Sequence, residues 1–195
     1  ESIAALADGA RYGSSDELSR LWADSFPQVV PPFQDDGIGV IILNSNAETN
    51  FSFTNALGLV PAEDVQALRR ILDQFPKAGW IVALHHHLME YPMPVKALSE
   101  RIGTALINGS WVVRQLAPYA DRLVVMHGHR HIDWIGRAGA LRIVSAPSPV
   151  MDARDGDTTF CHVHTLTMLP DRGIGLLTPD RIEIAGIGSN RDGTL

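Results

Sequence analysis

Six of the eight histidines in this chain occur in two short clusters, each directly after an apolar run. The first cluster is residues 85–87, which follow the apolar residues 80–84. The second comprises the histidines at 127, 129 and 131, which follow residues 123–126. Imidazole binds transition metals near neutral pH and also transfers protons. The two clusters together therefore predict a metal site.

The spacing within each cluster limits which histidines can act together. Side chains alternate along an extended segment, so His127, His129 and His131 are predicted to share one face, with Gly128 letting the backbone turn. The three consecutive histidines of the first cluster cannot all point the same way. One or two of them are predicted to be ligands while the rest line a cleft or pack, and for each single histidine a hydrogen-bonded cleft residue remains the alternative.

Composition favours one globular domain spanning residues 1–195, with a loose tail over about 186–195. The chain is 45% hydrophobic and 19% charged, and its formal net charge of -6 argues against nucleic acid or an anionic membrane as a partner. Its one cysteine excludes an intrachain disulfide and a cysteine-rich metal cage. No apolar run approaches the ~20 residues that span a bilayer. We therefore expect a cytoplasmic protein with no membrane partner.

The elements that must position the histidines are strands alternating with helices. Apolar runs rich in β-branched residues predict buried strands over residues 39–43, 80–84 and 123–126. One helix is predicted to open at Pro61, with acidic residues near its positive end, and another covers residues 110–116. This alternation indicates an α/β fold.

The later part of the chain shows the pattern of consecutive antiparallel strands and not of alternating strands and helices. Residues 132–135 and 141–144 predict a hairpin, and residues 160–168, 174–177 and 181–184 predict antiparallel strands. Ligands bind at the carboxyl ends of strands in open α/β sheets. Because the early strands end in polar residues, three distant segments are predicted to converge on one cleft.

Several polar residues outside the two clusters are weaker candidates. Asn44 and Arg130 are candidate substrate-binding residues, although by residue type Asn44 first suggests a turn and Arg130 a solvated or phosphate-facing cation. Asp133 is predicted to be a solvated hairpin charge. Residues 152–157 superficially suggest a calcium loop, but they lack the EF-hand spacing and so predict a surface turn.

Three stretches together resemble the calcineurin-like metallophosphoesterases, particularly the bacterial cyclic-nucleotide phosphodiesterase-like branch. They are residues 82–87, residues 125–131 with the motif Gly-His-x-His, and Leu43-Asn-Ser45 followed by residues 58–68. The similarity covers residues 21–184. It implies a layered α-β-β-α sandwich and hydrolysis of a small phosphate mono- or diester by a two-metal mechanism.

The resemblance also assigns roles to individual residues. It implies that His85 and His129 bind one metal ion and that His131 serves the other. His86, among the histidines expected to line the cleft, is the candidate catalytic residue. Two divalent ions at such a site polarise the phosphate ester, and imidazole with carboxylate ligands suits manganese, iron or zinc.

The family's upstream motifs Asp-x-His, Gly-Asp-x-x-Asp and Gly-Asn-His-Asp/Glu are not found in this sequence. We therefore expect the chain to be the C-terminal half of the sandwich, weakly active or inactive alone, with a missing N-terminal half or a second copy packing on an exposed apolar sheet face. Two alternatives stay open. One is a non-catalytic binding or scaffold module, and the other is a one-metal hydrolase that uses His85, His129 and His131.

Overall fold

A six-stranded mixed sheet carries the candidate site. The computed structural model describes residues 26–46, 57–91, 106–149, 158–171 and 173–184. The predicted surface turn at 152–157 and the tail at 186–195 lie outside these residues. The strands of the sheet, in chain order, are β1 (Gln28–Val30), β2 (Ile38–Ile42), β3 (Gly79–Ala83), β4 (Leu123–His127), β5 (Trp134–Ala138) and β6 (Leu141–Ser145).

The order of the strands across the sheet is β1-β2-β3-β4-β6-β5. Strands β2, β3, β4 and β6 are parallel neighbours, whereas β1 and β5 pair antiparallel at the two edges. Helix α1 (Ala62–Gln74) connects β2 to β3, and α2 (Gly109–Leu116) and a 3-10 helix (Ala117–Arg122) precede β4. The α/β class and the three early strands are confirmed, with strand ends within one residue of those predicted.

The continuous apolar character of the parallel strands follows from burial on both faces. In β4, Leu123 and Val125 pack in the main core with the residues of α1 and α2, whereas Val124 joins a second core with Ile174. Leu123, Val124 and Val125 are all fully buried. A strand covered on both sides has no polar face, so its sequence shows no alternation.

Two small sheets follow the main one. Strand β7 (Thr159–Val163) pairs with β10 (Asp180–Ile184), and β8 (Leu166–Met168) pairs with β9 (Ile174–Leu176). The single strand predicted over residues 160–168 is therefore wrong. The chain leaves β7 after Val163 and begins a separate hairpin. The full α-β-β-α sandwich stays a prediction.

None of the helices in the described residues is long and apolar enough to cross a membrane.

Arg122 ties the end of α1 to the start of β4. Its guanidinium donates to the carbonyl oxygens of Leu72 at 2.7 Å, Phe75 at 3.0 Å and Ala78 at 3.2 Å. The last carbonyls of a helix have no partner within the helix. Buried Arg122 supplies a donor to Leu72 in the last turn of α1 and to Phe75 and Ala78 just beyond it, and this fixes the connection that leads into β3.

Candidate metal centre

The carboxyl ends of β2, β3 and β4 meet at one edge of the sheet, and both histidine clusters lie there. Backbone hydrogen bonds continue past the strand ends, from the Leu84 N–H to the Met126 carbonyl at 3.1 Å and from the Gly128 N–H to the His85 carbonyl at 3.2 Å. Ser45, after β2, contacts the backbone of His85. The predicted convergence of three distant segments is confirmed.

Three histidines form a tight group at this edge, which we call the three-histidine cluster: His85, His86 and His129. One ring nitrogen from each lies within 4.8 Å of the others. The closest pair is Nε2 of His85 and Nδ1 of His129, which are 2.8 Å apart. The three ring centroids are separated by 4.9, 4.7 and 4.6 Å. Two imidazole nitrogens this close can share a proton or bind one cation between them.

Burial favours the metal-binding form of one member of the cluster. The pKa of His129 is lowered, first by burial and then by the nearby His85, His131 and Arg130. A lowered pKa keeps the imidazole neutral at physiological pH, and only the neutral ring has a lone pair for a metal.

The prediction that His127, His129 and His131 share one face is wrong. Strand β4 ends at His127, and both following histidines have left-handed backbone, with φ of 69° at His129 and 54° at His131. Alternation of side chains holds only where the backbone is extended. His127 therefore points into the protein while His129 turns towards His85.

His131 does not join the three-histidine cluster. It is half-buried and lines a neighbouring cavity of about 330 Å³. The other described residues of this cavity are Asp133, Pro147, Ser148, Thr158, Thr159 and Phe160. Its role as a ligand to a second metal ion stays a prediction.

A second pair of imidazoles is buried behind the cluster. His87 is 1% exposed and His127 is 5% exposed, and their rings lie 6.4 Å apart. Tyr91 packs against both rings, and its hydroxyl bonds to the Ser145 hydroxyl at 2.8 Å. Among the described residues, neither ring nitrogen of His87 and not Nδ1 of His127 has a hydrogen-bond partner. Burial lowers the pKa of each ring from 6.5 to about 4, so both are neutral.

Of the two candidate substrate-binding residues, Asn44 directly precedes Ser45 and Arg130 directly follows His129. Oδ1 of Asn44 accepts a hydrogen bond from the backbone N–H of Asn46 at 2.9 Å, which is the contact expected of a turn residue. The guanidinium of Arg130 lies over the ring of Tyr91, 5.8 Å from its centroid. Their contact with substrate stays a prediction.

Sequence reasoning missed two features. The first is Ser45, whose hydroxyl contacts the backbone and ring of the first histidine cluster. The second is His162 on β7, whose Nε2 lies 3.0 Å from Oδ1 of Asp133. The spacing of His162 and His164, two residues apart, was a visible signal for the second feature. A lone serine after a strand carries no comparable signal.

This chain is distantly similar to a curated phosphodiesterase. No protein-family model matches it. Among curated proteins it is 28% identical over 104 residues to the 3′,5′-cyclic adenosine monophosphate phosphodiesterase CpdA of Pseudomonas aeruginosa. The match covers 53% of this chain and 36% of that protein, so the chain spans about a third of the length of its curated relative.

Similar solved structures include a candidate 5′-nucleotidase from Staphylococcus aureus in complex with α-ketoglutarate. The match has a TM-score of 0.39 and 14% identity, and it covers 74% of this chain and 27% of that one. A likeness of this size carries no argument about fold or activity.

Proposed function

We propose that this chain carries the histidine side of the metal centre of a phosphoesterase that hydrolyses small phosphate mono- or diesters with two divalent cations. The 2.8 Å approach of His85 Nε2 to His129 Nδ1 at the carboxyl edge of the sheet is the observation that carries the proposal. The distant relationship to a cyclic-nucleotide phosphodiesterase supports the phosphate-ester chemistry.

The donor chemistry fits a divalent transition metal. Three imidazoles lie within reach of one another, and within this group of described residues there is no carboxylate. Imidazole suits manganese, iron and zinc. We assign His85 and His129 to one cation and His131 to the other. A bound cation supplies Lewis-acid polarisation of a phosphoryl oxygen.

The residues of the chain itself orient the ester. His86 stands in the cleft beside both proposed ligands, with its ring centroid 4.6 Å from that of His129. Arg130 follows His129 directly and offers the planar cation that suits phosphate oxygens. Asn44 lies at the end of β2 on the same edge.

The test is hydrolysis of bis(4-nitrophenyl) phosphate by the intact native gene product. We expect manganese to stimulate the reaction and a chelator to abolish it. His129→Gln should remove the activity, whereas His164→Gln, a matched change directly after β7, should leave it unchanged. No hydrolysis by the intact product at any metal concentration, with no metal uptake in calorimetry, would favour the non-catalytic binding or scaffold module instead.

The number of bound ions distinguishes the two-metal phosphoesterase from a one-metal hydrolase. The 2.8 Å approach of His85 to His129 also fits the second candidate, a one-metal hydrolase in which His131 is the third ligand. Metal analysis of the active protein should give two ions per chain under the leading proposal. One ion per chain with retained activity would establish the one-metal site.

A further inference from the structure

The hydroxyl of Ser45 is buried against the first histidine cluster and has three polar partners. Its Oγ accepts hydrogen bonds from the backbone N–H of His85 at 3.2 Å and of His86 at 3.1 Å. The same atom lies 3.0 Å from Nδ1 of the His86 ring. Ser45 is 1% exposed, so water cannot replace these contacts.

The hydrogen-bonding capacity of a hydroxyl decides how the third contact is made. A serine hydroxyl has two acceptor lone pairs and one O–H donor. The two backbone N–H groups occupy both lone pairs of Ser45, because an N–H can only donate. The O–H of Ser45 must therefore donate to Nδ1 of His86. A neutral imidazole whose Nδ1 accepts a hydrogen bond carries its proton on Nε2.

This hydrogen-bond pattern leaves His86 without a lone pair for a metal. The lone pair of Nδ1 is taken by Ser45, and Nε2 carries the proton. A metal ligand must present an unprotonated nitrogen. His86 lies close enough to His85 and His129 to complete a three-imidazole site, but its hydrogen bonds give it the opposite role, that of a donor.

Gly58 fixes the ring of His86 from a second side. A Cβ atom at Gly58 would overlap Cγ and Nδ1 of His86, so the ring rests directly on the glycine backbone. The neighbouring Leu59 N–H donates to the Ser45 carbonyl at 3.0 Å, so this segment is attached to the serine as well. The ring of His86 therefore cannot move towards Gly58 without displacing backbone.

We propose that Ser45 is a positioning residue that holds the proton of His86 on Nε2, so that His86 serves the metal centre as a hydrogen-bond donor to a phosphoryl oxygen and not as a third ligand. The donor role rests on the proposed function. The position of the proton does not, because it follows from the contacts of Ser45 alone.

The position of the proton is measured by long-range ¹⁵N NMR on the metal-free chain with labelled histidine rings. We expect Nδ1 of His86 to resonate as an unprotonated nitrogen and Nε2 as a protonated one, with the signals assigned from their absence in His86→Ala. Ser45→Ala should let the two tautomers interconvert, and Ser45→Thr should restore the single form. A protonated Nδ1 in the wild-type chain would overturn the proposal.

Metal titration gives a second, independent readout. With Mn²⁺ or Zn²⁺ as the probe, His86→Ala should change the affinity by less than about 10-fold, whereas His129→Ala should lower it by more than about 100-fold. Equal losses in the two variants would make His86 a ligand and overturn the proposal. Because the metal titration does not use the Ser45→Ala variant, it still tests the proposal if that variant does not fold.

The kinetic arm tests the donor role itself. In the intact gene product, His86→Ala should lower kcat for the phosphodiester by about 100-fold while the metal affinity is retained, as the loss of one oriented donor does. Unchanged kcat with the metal bound would overturn the donor role. If the intact product hydrolyses no ester at all, the proposed function fails, while the NMR and metal readouts still decide the state of His86.

Discussion

The buried pair His87 and His127 predicts a steep loss of stability in mild acid. Both rings are almost fully buried, and burial lowers their pKa values from 6.5 to about 4. In the unfolded chain each ring takes up a proton as the pH falls below about 6.5, but in the folded protein it does not until about pH 4. The unfolded state therefore binds more protons in this window, and stability declines as the pH falls through it.

The magnitude follows from the size of the shift. One pKa unit corresponds to about 1.4 kcal/mol, so lowering the pH from 7.5 to 5.0 should cost about 2 kcal/mol per ring and about 4 kcal/mol for the pair. This is a large fraction of the about 5–15 kcal/mol by which a domain of ordinary stability is folded. Above pH 7 the contribution should be constant.

The assay is urea denaturation at a series of pH values with a chelator present, on the wild-type chain and on the double variant H87M/H127M. His129 and His164, whose pKa values burial also lowers, titrate in both proteins, so the difference between the two curves isolates the buried pair. The double variant should lose about 4 kcal/mol less than the wild type between pH 7.5 and 5.0. Parallel curves would refute the reasoning, because they would show that the two rings are not held neutral by burial.

Three further substitutions test the packing around the site, each by the urea midpoint. Arg122→Met removes three hydrogen bonds to backbone carbonyls and should lower the free energy of unfolding by about 3 kcal/mol; unchanged stability would mean that these bonds contribute nothing. Gly39→Ala places a methyl group into the Trp80 ring and should cost about 1–3 kcal/mol, and a neutral result would show that the ring can move. Asn108→Ala removes both side-chain bonds to the backbone of Val60, at 2.7 and 3.3 Å, and should cost about 1–3 kcal/mol; wild-type stability would contradict that cost.

The central strands could be predicted from the sequence because a strand buried on both faces consists of a continuous run of apolar residues. That run can be recognised without knowing which residues pack against it. The run at residues 123–126 contains only apolar side chains, and the structure covers both sides of it. The edge at which the histidines meet then follows from parallel pairing of successive strands. The location of the histidines at the carboxyl edge of the sheet could thus be predicted from the apolar runs that precede them.

The directions of the histidine side chains could not be predicted in the same way. The sequence suggests that Gly128 provides the turn, but the left-handed residues are His129 and His131. The tight contact of Ser45 with His86 joins residues 41 positions apart and depends on the pairing of β2 with β3. Such contacts depend on tertiary geometry, for which one sequence gives no local pattern.

The left-handed backbone at His129 and His131 favours glycine, whereas a metal site at these positions needs imidazole side chains. A non-glycine residue in this conformation costs about 1–2 kcal/mol, a strain that glycine avoids. Folding alone would therefore favour glycine at both positions. The loop instead carries two imidazoles at the expense of its own stability, which agrees with the ligand roles proposed for His129 and His131. A variant with glycine at 129 should consequently be a worse metal binder but not a poorly folded protein.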